Sequence, residues 1–487
     1  MRPDHSGPAA RSEGRRPVVP FAWLALAAAL AVLHLIEPVA SLPDRFARNY
    51  NEGWNAYHAE AVLSDRPLYP DAESLFPNNY PPLSFVVVAL AGGDPIRTGR
   101  VLSLIAFGVL LLEIGWIAAR ATGSRHLGVL AALLAASWMG AAFHDYVAMN
   151  DPQLLAHAVA VGGLALVVGE RTPVRLGAGA LLMLASGLVK NNLLALPLAV
   201  TLWLYTTDRR ALRPWLAAAV VGGVAALALL AAVHGTSVFE SMLRSRTISL
   251  ALAAENAATW LPRLAAPLAL GAMAAREAWR DPDARLLTLW AGLALAIGFL
   301  FAAGEGVAVN TWFELLIALA LLGPWLLARL RALLPEAAQV VPLGALLLAL
   351  LLDPLLQAPD RLLRLPDVLA QHARWEAGSD EDVAFLASTP DPVICETLAL
   401  CFWAGKAPSV DLFNSRELFR GGHVNEETLL ARVEAGEFAV VQLTALAPGR
   451  DDERVSAHLA LALQRHYVVD HVGTNGVFLR PRSTPRR

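Results

Sequence analysis

Uninterrupted apolar runs of about twenty residues, separated by short polar joints, recur from Phe21 to near Leu356 and restrict this chain more than any other feature. The first is "FAWLALAAALAVLHLIEPVA", Phe21 to Ala40. At 1.5 Å per residue such a run crosses the hydrocarbon of a bilayer as a helix, the one open-ended structure that satisfies its own backbone there. The composition agrees: 56% of the 487 residues are hydrophobic and 17% charged, too apolar for an ordinary soluble domain. A formal net charge of −3 supplies no basic stripe, so nucleic acid is not an expected partner and the lipid bilayer is. The first run exceeds the apolar core of a signal peptide and many more follow it, so it reads as an uncleaved first span.

Arginine placement orients the runs, because cytoplasmic joints carry the excess of basic residues. With the basic stretch "MRPDHSGPAARSEGRRP" inside, the joints "ARATGSRH", "ERTPVR", "TTDRRALR", "AREAWRDPDAR" and "LARLR" also fall inside. The alternation gives about eleven spans and leaves the chain outside near Leu356. "PPLSFVVVALAGG", Pro81 to Gly93, is too short to span comfortably and is read as an outer-surface helix. Beyond about Ala358 the apolar runs shorten, and "DPVICETLALCFW" and "EFAVVQL" read as short strands joined by helices such as "NEETLLARVEAGE". The expected fold is therefore mostly α: a polytopic membrane helix bundle over 1–357, with an α/β extracytoplasmic domain over 358–487.

Polar residues gather on the outer side. Asn51, Glu52, His58 and Glu60 follow the first span, and His144, Asp145, Asn150 and Asp151 the third. Lys190, Asn191 and Asn192 follow the fifth, and Glu305, Asn310 and Glu314 the ninth. Any one of them is explained by the polarity an outer loop needs, but the inner joints are mostly arginine-led turns, and ionisable groups at membrane depth point to a site. Lys190 stands out because Lys406 is the only other lysine in a chain that otherwise uses Arg. Carboxylates beside apolar surface can serve as general bases, and Lys or Arg can hold a phosphate. A site with both, open to lipid, suits transfer from a lipid-phosphate carrier. The candidate catalytic residues are Glu52 and Asp151. Candidate substrate contacts are Asn51, His58, Tyr80, Arg97, Arg100, Lys190, Asn191, Asn192, Asn310 and Glu314.

Four segments in order carry a family resemblance: "NEGWNAYHAEAVLSDRPLYPD", "NNYPPLSF", "MNDPQLLAHA" and "GLVKNNLLALPLA", with "GEGVAVNTWFELLIALALL" as a weaker fifth. The arrangement resembles the GT-C class of membrane glycosyltransferases, in particular the group holding protein O-mannosyltransferases and lipid A aminoarabinose transferases. The resemblance implies inverting transfer of a sugar from a polyprenyl-phosphate-linked donor to a lipid, glycan or protein acceptor, at the outer face of a bacterial inner membrane. It implies Glu52 and Asp151 as the acidic residues and Lys190 as a donor-phosphate contact. The family's first loop commonly reads Asp-Glu, whereas here it reads Asn51-Glu52, which leaves one carboxylate where a pair could hold a divalent cation. No cofactor is certain, a divalent cation is left open, and Glu52 alone is the expected base.

Cys395 and Cys401 are the only cysteines; an oxidising compartment allows them to pair, but sequence does not decide it. The segment "ETLALCFWAGKAPSVDLFN" reads first as a strand and turn of the soluble core and second as a wall of the site. The rival function is a lipid or solute transporter or flippase. Such proteins bind near the bilayer midplane on interrupted helices, and the only midspan charge noted is Glu113.

Overall fold

A computed structural model of the chain describes residues 19–244, 247–278, 281–447 and 449–482. The basic stretch that anchors the inside assignment lies outside the described residues. The membrane part comprises α1 (Phe21–Ala40), α2 (Asn51–Val62), α3 (Leu83–Ala91), α4 (Pro95–Thr122), α5 (Arg125–Phe143), α6 (Gln153–Val167), α7 (Pro173–Val189) and α8 (Ala195–Thr207). It continues through α9 (Arg209–His234), α10 (Ser237–Met242), α11 (Leu250–Trp260), α12 (Ala265–Ala278), α13 (Pro282–Ala302), α14 (Phe313–Leu333) and α15 (Val340–Ala387).

Among the described residues seven helices are long and apolar enough to cross a membrane: α1, α4, α5, α9, α13, the segment Val309–Leu333 containing α14, and α15. The shorter α6, α7 and α8 are also apolar. The short run at Pro81 forms the nine-residue α3. Starts and stops follow local chemistry. Asp94, Ser124, Thr172, Asp208 and Asp281 cap the N-termini of α4, α5, α7, α9 and α13 through their side chains. Pro stands just inside α4, α7 and α13, where its missing N–H is not needed.

The bundle packs around α5 and α14, which are buried along most of their length, while α9 exposes Val220, Val221 and Val224. Some buried polar side chains close hydrogen bonds between helices. Trp138 Nε1 donates to Leu350 O (2.8 Å), and Ser137 Oγ donates to Ala27 O (3.1 Å). At the end of the bundle that holds the arginine-led joints, Arg171 lies 3.9 Å from Asp208 and stacks over Trp203, and Arg120 Nε donates to Val168 O.

At 48 residues, α15 runs through the expected 357/358 boundary without a break, carries Pro354, Pro359 and Pro366, and spans about 70 Å. It delivers the chain to a small α/β unit. There β1 (Val393–Cys395), β2 (Val440–Leu443), β3 (Tyr467–Gly473) and β4 (Gly476–Pro481) form one sheet in the order β1-β2-β4-β3. β1 and β2 are parallel, with Val393 opposite Val440, and the remaining pairs are antiparallel. Helices α16 (Leu398–Trp403), α17 (Leu412–Arg420), α18 (Glu427–Glu434) and α19 (Ala457–His466) complete the unit. β1 and β2 are buried at every residue, as strands covered on both faces must be. Cys395 and Cys401 are joined in a disulfide that ties β1 to α16.

The α/β unit sits directly on α2. Gly53 is what allows it, since a Cβ there would strike the backbone of Leu398 and Ala399. Tyr57 OH donates to Lys406 O (2.8 Å), Trp403 Nε1 to Asp94 Oδ2 (3.2 Å), and Ser415 Oγ to Leu75 O (2.7 Å). Arg420 pairs with Glu305 of the membrane part.

Candidate active site

A cleft of about 890 Å³ lies between the helix bundle and the α/β unit. The bundle side is lined by Asn49, Tyr50, Asn51, Tyr80, Tyr146, Lys190, Asn191, Asn192, Asn256 and Asn310, and the other side by Phe413, Asn414, Glu417, His423, Glu453 and Arg454. The wall is rich in amides and aromatic rings.

Behind this wall is a fully buried ion pair. Arg100, from the second turn of α4, grips Glu52, in the first turn of α2, with both prongs: Nε to Oε1 and Nη2 to Oε2, each 2.7 Å. Both side chains have no solvent exposure. The backbone amides of Asn150 (3.0 Å) and Arg48 (2.9 Å) donate to the same carboxylate. Burial alone would raise the pKa of Glu52; the charge and hydrogen bonds of Arg100, with the two amides, reverse that and leave it below the usual carboxylate range.

The remaining donors of Arg100 hold the carbonyls of Ser41, Leu42, Asp44 and Phe46. Arg48 holds those of His144, Val147 and Ala148. Asn150 Nδ2 donates to Glu52 O, and Asn55 Nδ2 to Asn150 O. The loops after α1 and α5 are thereby fastened to α2 and α4. Gly99 leaves room for Asn150, whose side chain a Cβ there would strike.

This geometry gives Glu52 a part other than that of the expected base. Its oxygens accept four hydrogen bonds, and it does not line the cleft. Arg100, expected as a substrate contact, is consumed in the same cluster. His58 is also away from the cleft, buried against the rings of Trp54, Phe76 and Phe85, and burial lowers its pKa to about 3. Arg97 is exposed and outside the lining. Glu314 sits deep in the bundle, where its carboxylate accepts from the amides of Ala195 and Leu196 and from Trp290 Nε1, anchoring the start of α8.

The cleft does bring together Asn51, Tyr80, Lys190, Asn191, Asn192 and Asn310. Lys190 follows the last residue of α7 in extended conformation, and its amide still closes the helix on Ser186 O. Its side chain is buried. The ammonium lies 3.5 Å from Asp151 Oδ2 and 3.5 Å from the centre of the Tyr80 ring, so a carboxylate and an aromatic face hold it jointly. Asp151 Oδ1 accepts from the amide of Gln153 (2.8 Å), at the start of α6. Asp151 itself lies just behind the cleft wall.

Among the described residues no group of three or more His, Cys, Asp and Glu side chains could hold a metal ion. With Glu52 saturated and Asp151 beside an ammonium, the donor set here does not fit a divalent cation.

Sequence reasoning passed over Gln153 and His157, although both stand in the quoted "MNDPQLLAHA". Their four-residue spacing, polar on an otherwise apolar helix, was the available signal. Arg454 gave no such signal, because only the docking of the α/β unit carries it to the cleft, whereas Phe413 and Asn414, which line the cleft, end the segment read second as a wall of the site. Arg454 lies over the Tyr50 ring, and Asn79 donates to Asn414 (3.2 Å). Earlier in that segment, Glu396 turns to Arg450 and Arg454, and Lys406 to Thr389 O, as parts of the α/β unit's own core.

The bundle, helix α2 and the small α/β unit over a shared cleft make up a GT-C-like membrane fold. The crystal structure of ArnT from Cupriavidus metallidurans bound to undecaprenyl phosphate superposes with a TM-score of 0.59 at 15% identity, covering 96% of this chain and 99% of that one. The apo state of the same ArnT gives 0.58 at 14% identity, covering 94% and 97%. No family model and no curated protein sequence matches the chain.

Proposed function

We propose that the protein is a membrane glycosyltransferase of the GT-C kind, moving a sugar from a polyprenyl-phosphate-linked donor to an acceptor held under the α/β unit. The observation that carries this reading is the placement of Lys190: a buried ammonium on the wall of a large amide-lined cleft where the bundle meets the α/β unit. The crystallised ArnT of the same fold bound undecaprenyl phosphate, which supports a polyprenyl phosphate as the donor's carrier here.

In this reading Lys190 receives the phosphate as a compact charge, with Asp151 and Tyr80 holding it in place. The acceptor oxygen forms its bond to the anomeric carbon as the bond from that carbon to the phosphate oxygen breaks. The configuration inverts, the bonding pair leaves with the polyprenyl phosphate, and the acceptor's proton passes to that departing phosphate, which gains a second negative charge and with it the basicity to take the proton. Lys190 then stabilises charge that grows on the leaving phosphate, which is where a fixed charge lowers the barrier most. Glu52 and Arg100 serve by fixing the loops. No feature of the site favours the transporter reading.

The test is titration of the full-length protein in nanodiscs with undecaprenyl phosphate. Wild type should bind. Lys190→Ala should lose about 1.5 to 3 kcal/mol of affinity, the range for a hydrogen bond to a charged group, and Lys190→Arg should regain part of it. Equal affinity of wild type and Lys190→Ala would remove Lys190 from the site. Absence of binding to wild type would overturn the proposed function.

A further inference from the structure

The ammonium of Lys190 belongs to the cleft wall but is closed off from the cleft. Its Nζ is buried and has no hydrogen-bond partner in the protein. Asp151 Oδ2 lies 3.5 Å away, and the centre of the Tyr80 ring is also 3.5 Å away. Of these two neighbours Asp151 is buried behind the wall, whereas Tyr80 is half-buried and lines the cleft. The ring therefore stands between the ammonium and the space a phosphate would enter.

The backbone of Tyr80 is fastened on both sides. Its N–H donates to Asn78 Oδ1 (3.0 Å), its carbonyl accepts from Tyr69 OH (2.8 Å), and Pro81 follows with a fixed φ. Beside it, Asn79 is held by Asn414 of the α/β unit. The ring itself meets Trp54 edge to face at 4.8 Å, and Trp54 is buried and tied to Pro77 O. Rotation about the side-chain bonds is the motion left to Tyr80, and the cleft of about 890 Å³ gives the ring space to turn into.

What the ring gives the ammonium can be replaced. An aromatic face attracts a cation through its quadrupole alone, whereas phosphate oxygens accept charge-assisted hydrogen bonds from it. An arriving phosphate thus offsets the loss of the ring contact.

We infer that Tyr80 is a gate on Lys190: its ring covers the ammonium until the donor phosphate arrives, then rotates into the cleft to admit it. Tyr80 is a positioning residue for the phosphate contact. The role of the gate rests on the proposed function, while the cover over Lys190 does not.

The chain has two lysines, so acylation with N-hydroxysuccinimide acetate, read by peptide mass spectrometry, reports on Lys190 directly. Lys406, buried in the α/β unit and bonded to Thr389 O, is the internal control for folding. In full-length protein in nanodiscs without added donor, both lysines should react slowly. Tyr80→Ala should speed labelling of Lys190 by about tenfold, as for a cover open about a tenth of the time, with Lys406 unchanged. Tyr80→Phe keeps the ring and should label as wild type does. Apparent affinity for undecaprenyl phosphate should tighten by about the same factor in Tyr80→Ala, because affinity scales with the fraction of protein in the binding-competent state. If Lys406 labelling rises in Tyr80→Ala, Tyr80→Leu, which refills the space against Trp54 without an aromatic face, carries the same expectations.

A wild-type Lys190 as reactive as that of Tyr80→Ala would overturn the inference, since the ring then covers nothing. So would unchanged or weaker binding of undecaprenyl phosphate by Tyr80→Ala, the result expected of a ring that is only a ligand contact or only packing. Failure of wild type to bind undecaprenyl phosphate would sink the proposed function and the gate's role with it, and the labelling would still decide whether the ring covers Lys190.

Discussion

Two residues show how burial changes what a carboxylate does. Glu52 keeps its charge inside the protein because Arg100 and two amides replace the water it lost, and each partner is costly without the other. Glu52→Gln should destabilise the folded protein by about 3 to 5 kcal/mol by leaving Arg100 unpaired, while the double variant Glu52→Leu with Arg100→Met should be hurt less than either single change. Thermal unfolding in detergent checks this; single and double variants of wild-type stability would mean the pair is not a structural hub. Asp411 is the opposite case. Burial pushes its pKa up to about 6 despite hydrogen bonds from Asn414 and the amide of Phe413. A carboxyl whose folded pKa exceeds its unfolded value binds more protons when folded between those two values. Its contribution is thus fully present below pH ~4 and is lost as pH rises to about 6. Asp411→Asn should flatten that pH dependence, measured by unfolding between pH 4 and 7. An unchanged pH profile would show that Asp411 does not titrate there.

Helix ends are where the elements of this protein meet their function. Lys190 is placed by the termination of α7, Gln153 and Asp151 by the start of α6, and Glu52 by the start of α2. In a membrane protein these are the positions where backbone groups leave the helical ladder and polar side chains are tolerated. Element existence was readable for that reason: twenty-residue apolar runs can only be helices, and Asp, Ser and Thr caps with inner prolines mark their starts. The positions of α2 and Lys190 in the order of elements were readable too. Which way Glu52 pointed was not, since a helical period places Glu52 on a face without saying whether that face meets a cleft or a buried arginine 48 positions away.

For the molecule as a whole, the arrangement of basic joints at one end and the cleft at the other predicts a sidedness. Reporter fusions at Ser124 and Asp208 should read cytoplasmic, and one at Ser388 extracytoplasmic. A cytoplasmic signal at Ser388 would put the cleft on the wrong side for a donor presented at the outer face. The long α15 makes the placement of the α/β unit a property of the bundle: it leaves the membrane part as one rod and brings α16 down on α2, where Gly53 admits it.

Hydrophobic patterning by itself determined that this chain is a polytopic helical bundle followed by a small α/β unit, and the order of polar motifs was enough to resemble the GT-C class. Both are properties of runs, and a run's transfer free energy is summed locally along the chain. Tertiary structure alone decided which polar residues face the cleft. Asn51, Tyr80, Lys190, Asn191, Asn192 and Asn310 do, while Glu52, Arg100, His58 and Glu314 were taken up by pairing, ring packing and helix anchoring. The physical reason is that a buried charge or amide takes whichever partner the fold brings within about 3 Å, and partners such as Glu52 and Arg100, or Gln153 and Asn310, are far apart in the sequence and meet only when the helices pack.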